Sequence, residues 1–377
     1  MSEQKSGQMS GAFHPPPEHE EFRGVLRKLT ESRVPLGCAP APAAADAGDR
    51  ELWQTLAGEL GLAGLVVPER HGGGGFGRPE LAIAAEELGR AVAGGPLFAS
   101  AVLATEALLA TGPDATAAEV LPGLAAGERV AALAVVERSR RWQPDGIETT
   151  VGERARLRGV KEAVLGAAEA DVLVVAARGP DGLSLFLVEP GQGVAVEARE
   201  VLDPSRSIAR VVLTDAPARP VGRAGEGWPA VERALEAGAV FLAAEQVGGS
   251  QALLDAATEH AGTRVQFGRP VGQFQGVKHR LADMAVRTEL GRAAATWAAW
   301  QEPGSGPARL GAAVARAHCA QAYLQTALDA IQVHGGMAIT WEHHAHRFLR
   351  RARADLDVLP GPAEQRRLLE SMIGTGV

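Results

Sequence analysis

Apolar positions follow two rhythms along this chain, and the change of rhythm divides it into three. Between 21 and 128 they recur at helical spacing, as in Trp53, Leu56, Leu60 and Leu62, until Val66-Val-Pro68 and the glycines Gly72 to Gly75 break the pattern. Further helices are predicted over 81–92, 101–110 and 116–124. Between 129 and 224 the period changes. Short β-branched runs at 131–136, 171–176, 183–188, 194–201 and 209–213 are separated by turn residues such as Gly179-Pro-Asp-Gly182 and Pro190-Gly191. That pattern predicts a small antiparallel barrel or sandwich. From 225 to 377 the helical period returns. Val271, Phe274, Val277, Leu281 and Met284 predict one buried stripe, and 301–307 reads as a turn between long helices. The expected architecture is therefore α+β, with a helical domain, a β domain and a second helical domain.

Composition narrows the function classes. A chain of 377 residues can build two or three cores, and with only 4% aromatic residues Ala, Leu and Val must fill them. A net charge of -7 argues against nucleic acid as a main partner, since there is no basic face to release counterions. No apolar run has the length of a membrane span. Residues 1–20 are polar, carry prolines at 15 to 17, and read as a disordered head without the apolar core of a signal peptide. The two cysteines, Cys38 and Cys319, form neither a metal pattern nor a disulfide framework, which fits a reducing cytoplasm.

Two blocks near the C-terminus carry the chemistry. The first runs from Arg264 through Gln266, Phe267 and Gln275 into an amphipathic helix; a guanidinium fork there suits a pyrophosphate, or is simply a solvated helix-end charge. The second is Gln332-Val-His-Gly-Gly336, where Gly335 and Gly336 either let the backbone approach a ligand or cap a helix. Glu342-His-His-Ala-His346 does not have the spacing of a zinc motif and reads as a polar helix face, so no metal is expected. Gly72 to Gly77 satisfies a dinucleotide fingerprint literally, yet has no strand before it, and reads as a loop.

In order and spacing the two blocks resemble the signatures of the acyl-CoA dehydrogenase family. Local phrases add to this: Leu65-Val-Val-Pro-Glu-Arg-His-Gly-Gly73, Ala85-Glu-Glu-Leu-Gly89 and Leu202-Asp-Pro-Ser-Arg206. The resemblance extends from about residue 20 to the C-terminus. It implies an N-terminal helical domain, a middle β domain and a C-terminal four-helix bundle, with FAD as cofactor and an acyl thioester of CoA or a carrier protein as substrate. It further implies that Arg264, Gln266, Phe267, Gln275, Gln332, Gly335 and Gly336 reach the FAD of a neighbouring subunit in a homo- or hetero-oligomer.

The same resemblance points to a gap. A base must take the α-proton while hydride leaves to the flavin, and it needs a desolvated carboxylate. The family's two positions for it fall on Leu359 and Gly238 here. Glu245, two turns beyond Gly238 on the same helix face, and Glu364, five residues past Leu359, are the substitutes to consider. The middle-domain phrases that hold a chain's own flavin correspond to Val136-Glu-Arg-Ser139 and Ala163-Val-Leu-Gly166, without the usual hydroxyls and tryptophan. Three readings stay open: a flavin-dependent α,β-dehydrogenase, alone or as one subunit of a hetero-oligomer; a non-catalytic subunit that completes a partner's FAD site; and a flavin-free helical scaffold.

Overall fold

The computed structural model describes residues 15–34, 52–139 and 142–374; Cys38 and most of the expected head lie outside them. Helix α1 (Pro17–Arg33) begins within the stretch expected to be head. Proline in the first turn forfeits no helical hydrogen bond, and it presets φ. Ion pairs then hold the helix in place: Arg23 donates to Glu86 at 2.8 Å and Glu87 at 3.0 Å, and Arg27 to Glu87 at 2.8 Å, on helix α2 (Arg78–Ala91). A π-helical stretch, Phe98–Ala104, runs into α3 (Thr105–Ala110), and α4 (Ala115–Ala125) follows, its N-terminus capped by the Asp114 carboxylate, which accepts from Ala117 N–H at 2.8 Å.

The middle domain comprises β1 (Ala131–Ala134), β2 (Thr150–Val151), β3 (Arg156–Leu165), β4 (Val172–Gly179), β5 (Gly182–Val188), β6 (Val194–Ala198), β7 (Ile208–Pro217) and β8 (Arg219–Val221). They form one sheet in the order β6-β7-β3-β2-β4-β5-β8, with β1 on β4. Two features depart from the expected purely antiparallel β domain. The β1–β4 and β2–β4 pairings are parallel, so the sheet is mixed. The ten-residue β3 is also absent from the strands predicted by hydrophobic runs. It carries Arg156, Arg158, Lys161 and Glu162, and of its apolar side chains only Leu157, Val164 and Leu165 are fully buried.

The C-terminal domain is built on three long helices, α5 (Gly227–Thr263), α6 (Gln275–Ala299) and α7 (Gly306–His334), with the shorter α8 (Ala345–Val358) and α9 (Pro362–Met372) against α7. Helices α2 and α5 cross backbone to backbone: a Cβ on Gly248 would lie 1.8 Å from the Glu86 carbonyl, and one on Gly89 2.0 Å from that of Glu245. Only glycine permits that approach. The stripe predicted across the start of α6 is buried only at Met284; Val271, Phe274, Val277 and Leu281 are half-exposed, and the β-hairpin Val265–Pro270 precedes them. On α6 the apolar character continues round the outer side, where Val286, Leu290 and Trp297 are 59%, 57% and 38% exposed.

Candidate active site and cofactor-reaching end

Leu359 and Gly238, far apart in sequence, meet in the fold. A Cβ on Gly238 would lie 2.8 Å from Leu359 Cδ1, 2.7 Å from Leu103 Cδ2 and 3.6 Å from Phe98 Cε2. Phe98 in turn stacks on Phe241 with ring centres 5.3 Å apart. Leu359 follows α8 in an extended conformation (φ -125°, ψ -177°), as the proline after it dictates, and is 2% exposed. Both positions expected to carry a base are therefore apolar and packed against each other, and the three atoms nearest a Cβ on Gly238 are all hydrocarbon carbons.

The two substitute carboxylates do other work. Glu245 is buried in an ion network that joins all three domains. Its oxygens accept from Arg206 and, at 2.5 Å, from Arg351. Arg351 also donates to Asp203, to Ser205 Oγ at 2.6 Å and to the Ala93 carbonyl at 3.1 Å, while Asp355 lies 3.4 Å from Arg206. Burial drives the Glu245 carboxyl upward against the pull of Arg206 and Arg351. A raised carboxyl can mark a base, but this one has both oxygens engaged by guanidinium groups and serves as a structural ion partner. Glu364 is exposed and lines the cleft described next; its Oε2 accepts from Gly361 N–H at 3.0 Å, capping α9. Glu236 is also committed, accepting from Arg78 at 2.6 Å and from Gly304 N–H at 3.0 Å.

Between the sheet and the bundle lies a cleft of about 1630 Å³, large enough for a dinucleotide. Arg199, Arg287, Gln321, Gln325 and Arg353 line it with donors, but its β3 face offers few side-chain partners for a flavin ring. Flavin carbonyls and ring nitrogens call for donors. The β3 side offers Ala163, Leu165 and the acceptor-only carboxylate of Glu162, which Arg199 and Arg210 share, each at 3.4 Å. Trp142 lines this cleft from the loop before Pro144; sequence spacing looked for an aromatic further along the chain and missed it.

The far end of the bundle fits better. Arg264, Gln266, Phe267, Gln275, Gln332, Gly335 and Gly336 are all exposed. The Arg264 hairpin and the Gly335 turn share one end, joined where His260 packs 4.7 Å from His334, ring centre to ring centre. The Arg264 guanidinium makes no ion pair among the described residues. A Cβ on Gly336 would meet nothing within 4 Å, so the chain's own packing does not require glycine there. Phe267 holds φ at 52°, a strained value for an aromatic, and is 92% exposed at the hairpin tip. An open guanidinium, carboxamides and uncovered glycine backbone suit a diphosphate approaching from outside the chain. Among the described residues no group of three or more His, Cys, Asp or Glu is placed to hold a metal ion, and no helix is long and apolar enough to cross a membrane.

This fold and these two regions define a member of the acyl-CoA dehydrogenase family, flavoprotein oxidoreductases acting on CH–CH groups, and the chain belongs to it. Residues 16–128 match the acyl-CoA dehydrogenase N-terminal domain and residues 225–369 the C-terminal domain. The chain is 33% identical to the acyl-CoA dehydrogenase IpdE2 of Mycobacterium tuberculosis, over 95% of this chain and 98% of that one. Among solved structures it resembles the Tcur3481-Tcur3483 steroid ACAD (29% identity, TM-score 0.83, covering 95% of this chain and 98% of that one). It also resembles a chain of the ChsE4-ChsE5 complex of Mycobacterium tuberculosis (28% identity, TM-score 0.83, 97% and 100% coverage).

Proposed function

We propose that this chain is the subunit of a hetero-oligomeric acyl-CoA dehydrogenase that completes the FAD site of a different, base-bearing chain and supplies no base itself. One observation carries the reading: Leu359 fills the space over Gly238, so the two places for a base are closed by apolar contact. A homo-oligomer would unite copies that all lack the carboxylate, so the partner must be another chain of the family. Arg264 and Gln332 serve the diphosphate of the partner's FAD, and Phe267, strained and uncovered, finds its contact there. FAD supplies the hydride acceptor when bound; this chain's residues hold its phosphates and exclude water at the subunit boundary. Two matched structures carry paired chain names, which supports a hetero-oligomer. The steroid ACAD among them makes a steroid-bearing CoA thioester the first substrate to try. A cytoplasmic location, expected from cysteine usage, belongs to this proposal.

The test is co-expression with a family member that has glutamate at the position of Leu359 or Gly238. The complex is expected to retain FAD and this chain alone to retain none. Flavin bound by the isolated chain in amounts matching its concentration would overturn the reading.

A further inference from the structure

The histidines of the Glu342-His-His-Ala-His346 run have no part in that function, and the fold gathers His343 and His344 with two others. His260, on the last turn of α5, packs 4.7 Å from His334 on the last turn of α7. His334 lies 4.6 Å from His343, and His343 stacks on His344 at 4.6 Å with an 18° tilt. The series links the two elements that reach outward. Arg264 N–H donates to the His260 carbonyl at 2.8 Å, and Gly335 directly follows His334. Two hydrogen bonds define the protons. His334 Nδ1 bonds the Ala330 carbonyl at 2.8 Å, so it carries a proton. Ala345 N–H, in the first turn of α8, donates to His343 Nδ1 at 3.2 Å, which only a neutral His343 can accept. His343 thereby caps α8, leaving its proton on Nε2.

We propose that this stack is a proton-operated gate on the reaching end: protonating His343 breaks the Ala345 cap, sets its charge against the His344 and His334 rings it packs on, and parts the Gly335 turn from the Arg264 hairpin. The charged and titratable groups around the stack are Arg264 from the end of α5, Arg347, Arg350 and His346 from α8, and Glu342 from the turn, whose carboxylate bonds Thr340. The surroundings are thus mainly cationic and oppose added protons. Burial, followed by His344, His334, His260 and His346, pushes His343 down from 6.5 to about 4; burial with neighbouring cations lowers His344 and His260. The sign follows directly. The open form binds the proton near the ordinary histidine range and the closed form well below it, so falling pH favours opening. Since the ring is partly exposed, solvent screening trims the effect to about tenfold in the opening equilibrium between about pH 7.5 and about pH 5.

That the gate regulates subunit contact rests on the function proposed above; the opening itself does not. Hydrogen exchange on the full chain, corrected for intrinsic rates, reads it directly in 264–270 and 334–345. Wild type is expected to lose about tenfold protection there on acidification. His343→Asn, whose side-chain oxygen can still accept the Ala345 N–H without titrating, is expected to stay closed. Equal protection of wild type at both pH values, or acid opening of His343→Asn to the same degree, overturns the gate. If that variant does not fold, the His343 ring resonances of wild type decide: titration at or above 6.5 overturns it. All readouts use this chain alone. A failed gate therefore leaves the subunit reading standing, and a failed co-expression test leaves the gate standing.

Discussion

Around Gly238 the chain is packed, with Leu359 closing it off from the cleft that Leu359 also lines; around Arg264 and Gly336 it is open. The first holds the two positions proposed to lack a base and the second the residues proposed to reach a partner's flavin, and they are built on opposite principles. In the first, Phe98, Leu103, Phe241 and Leu359 occupy one another's contact surface, and Arg206 lies over the Phe98 ring at 5.0 Å, tying that ring to the buried ion network. In the second, a guanidinium, two glycines and a 92%-exposed phenylalanine contribute little to their own chain. On the proposed reading, the contrast teaches that the place without a base is sealed by packing, while residues that would serve another chain remain unsealed.

Substitutions can break or sharpen that contrast. The largest effect is expected from Arg351→Ala, which removes the donor shared by Asp203, Glu245, Ser205 and the Ala93 carbonyl. Leaving buried carboxylates unpaired costs about 3–5 kcal/mol, and a denaturant melt should show it. Phe98→Ala, in the packed region, is expected to destabilise by about 3–4 kcal/mol through lost transfer energy and a residual cavity. At the open end, Arg264→Ala and Phe267→Ala should each change stability by no more than about 0.5 kcal/mol while stripping FAD from the assembled complex. Unfolding at the open end, or an indifferent Phe98→Ala, would erase the distinction between the two regions.

The smallest expected effect is on pH dependence. Burial raises the Asp203 carboxyl, but Arg351, Ser205 and Arg206 outweigh it and hold it below its ordinary 3.8. A carboxyl depressed in the folded state contributes stability above that value, and the contribution is lost as pH falls through the folded value. Asp203→Asn should therefore flatten the acid limb of stability below about pH 4, measured by melts across pH, and leave the neutral plateau merely lower.

How much of this was legible in sequence varies with the physics of each part. The long helices showed themselves through period and turn residues, and the two blocks through fixed spacing, though only the fold places them at one exposed end. Strand β3 did not, because Arg156, Arg158, Lys161 and Glu162 interrupt its apolar residues, and Lys161 is buried only through its fold-made partner Glu137. The ion network was hidden for another reason. Arg206, Glu245 and Arg351 sit in three separate segments, and only folding makes them partners. Leu359 and Gly238 were each visible as missing bases, but their mutual contact, which turns two absences into one sealed slot, is a property of the fold. The fold similarly converts His343 and His344 from an expected polar helix face into a stack beneath the reaching end, just before α8 starts.

The central claim is that this chain completes a flavin site but cannot deprotonate a thioester. Anaerobic titration of flavin with an acyl-CoA thioester tests it most directly, comparing this chain with free FAD added against the complex with a base-bearing partner. The account predicts an oxidised spectrum throughout for the chain alone and bleaching of the flavin in the complex. Bleaching by the chain alone, abolished in Glu364→Gln, would contradict it and place the base at the mouth of the cleft.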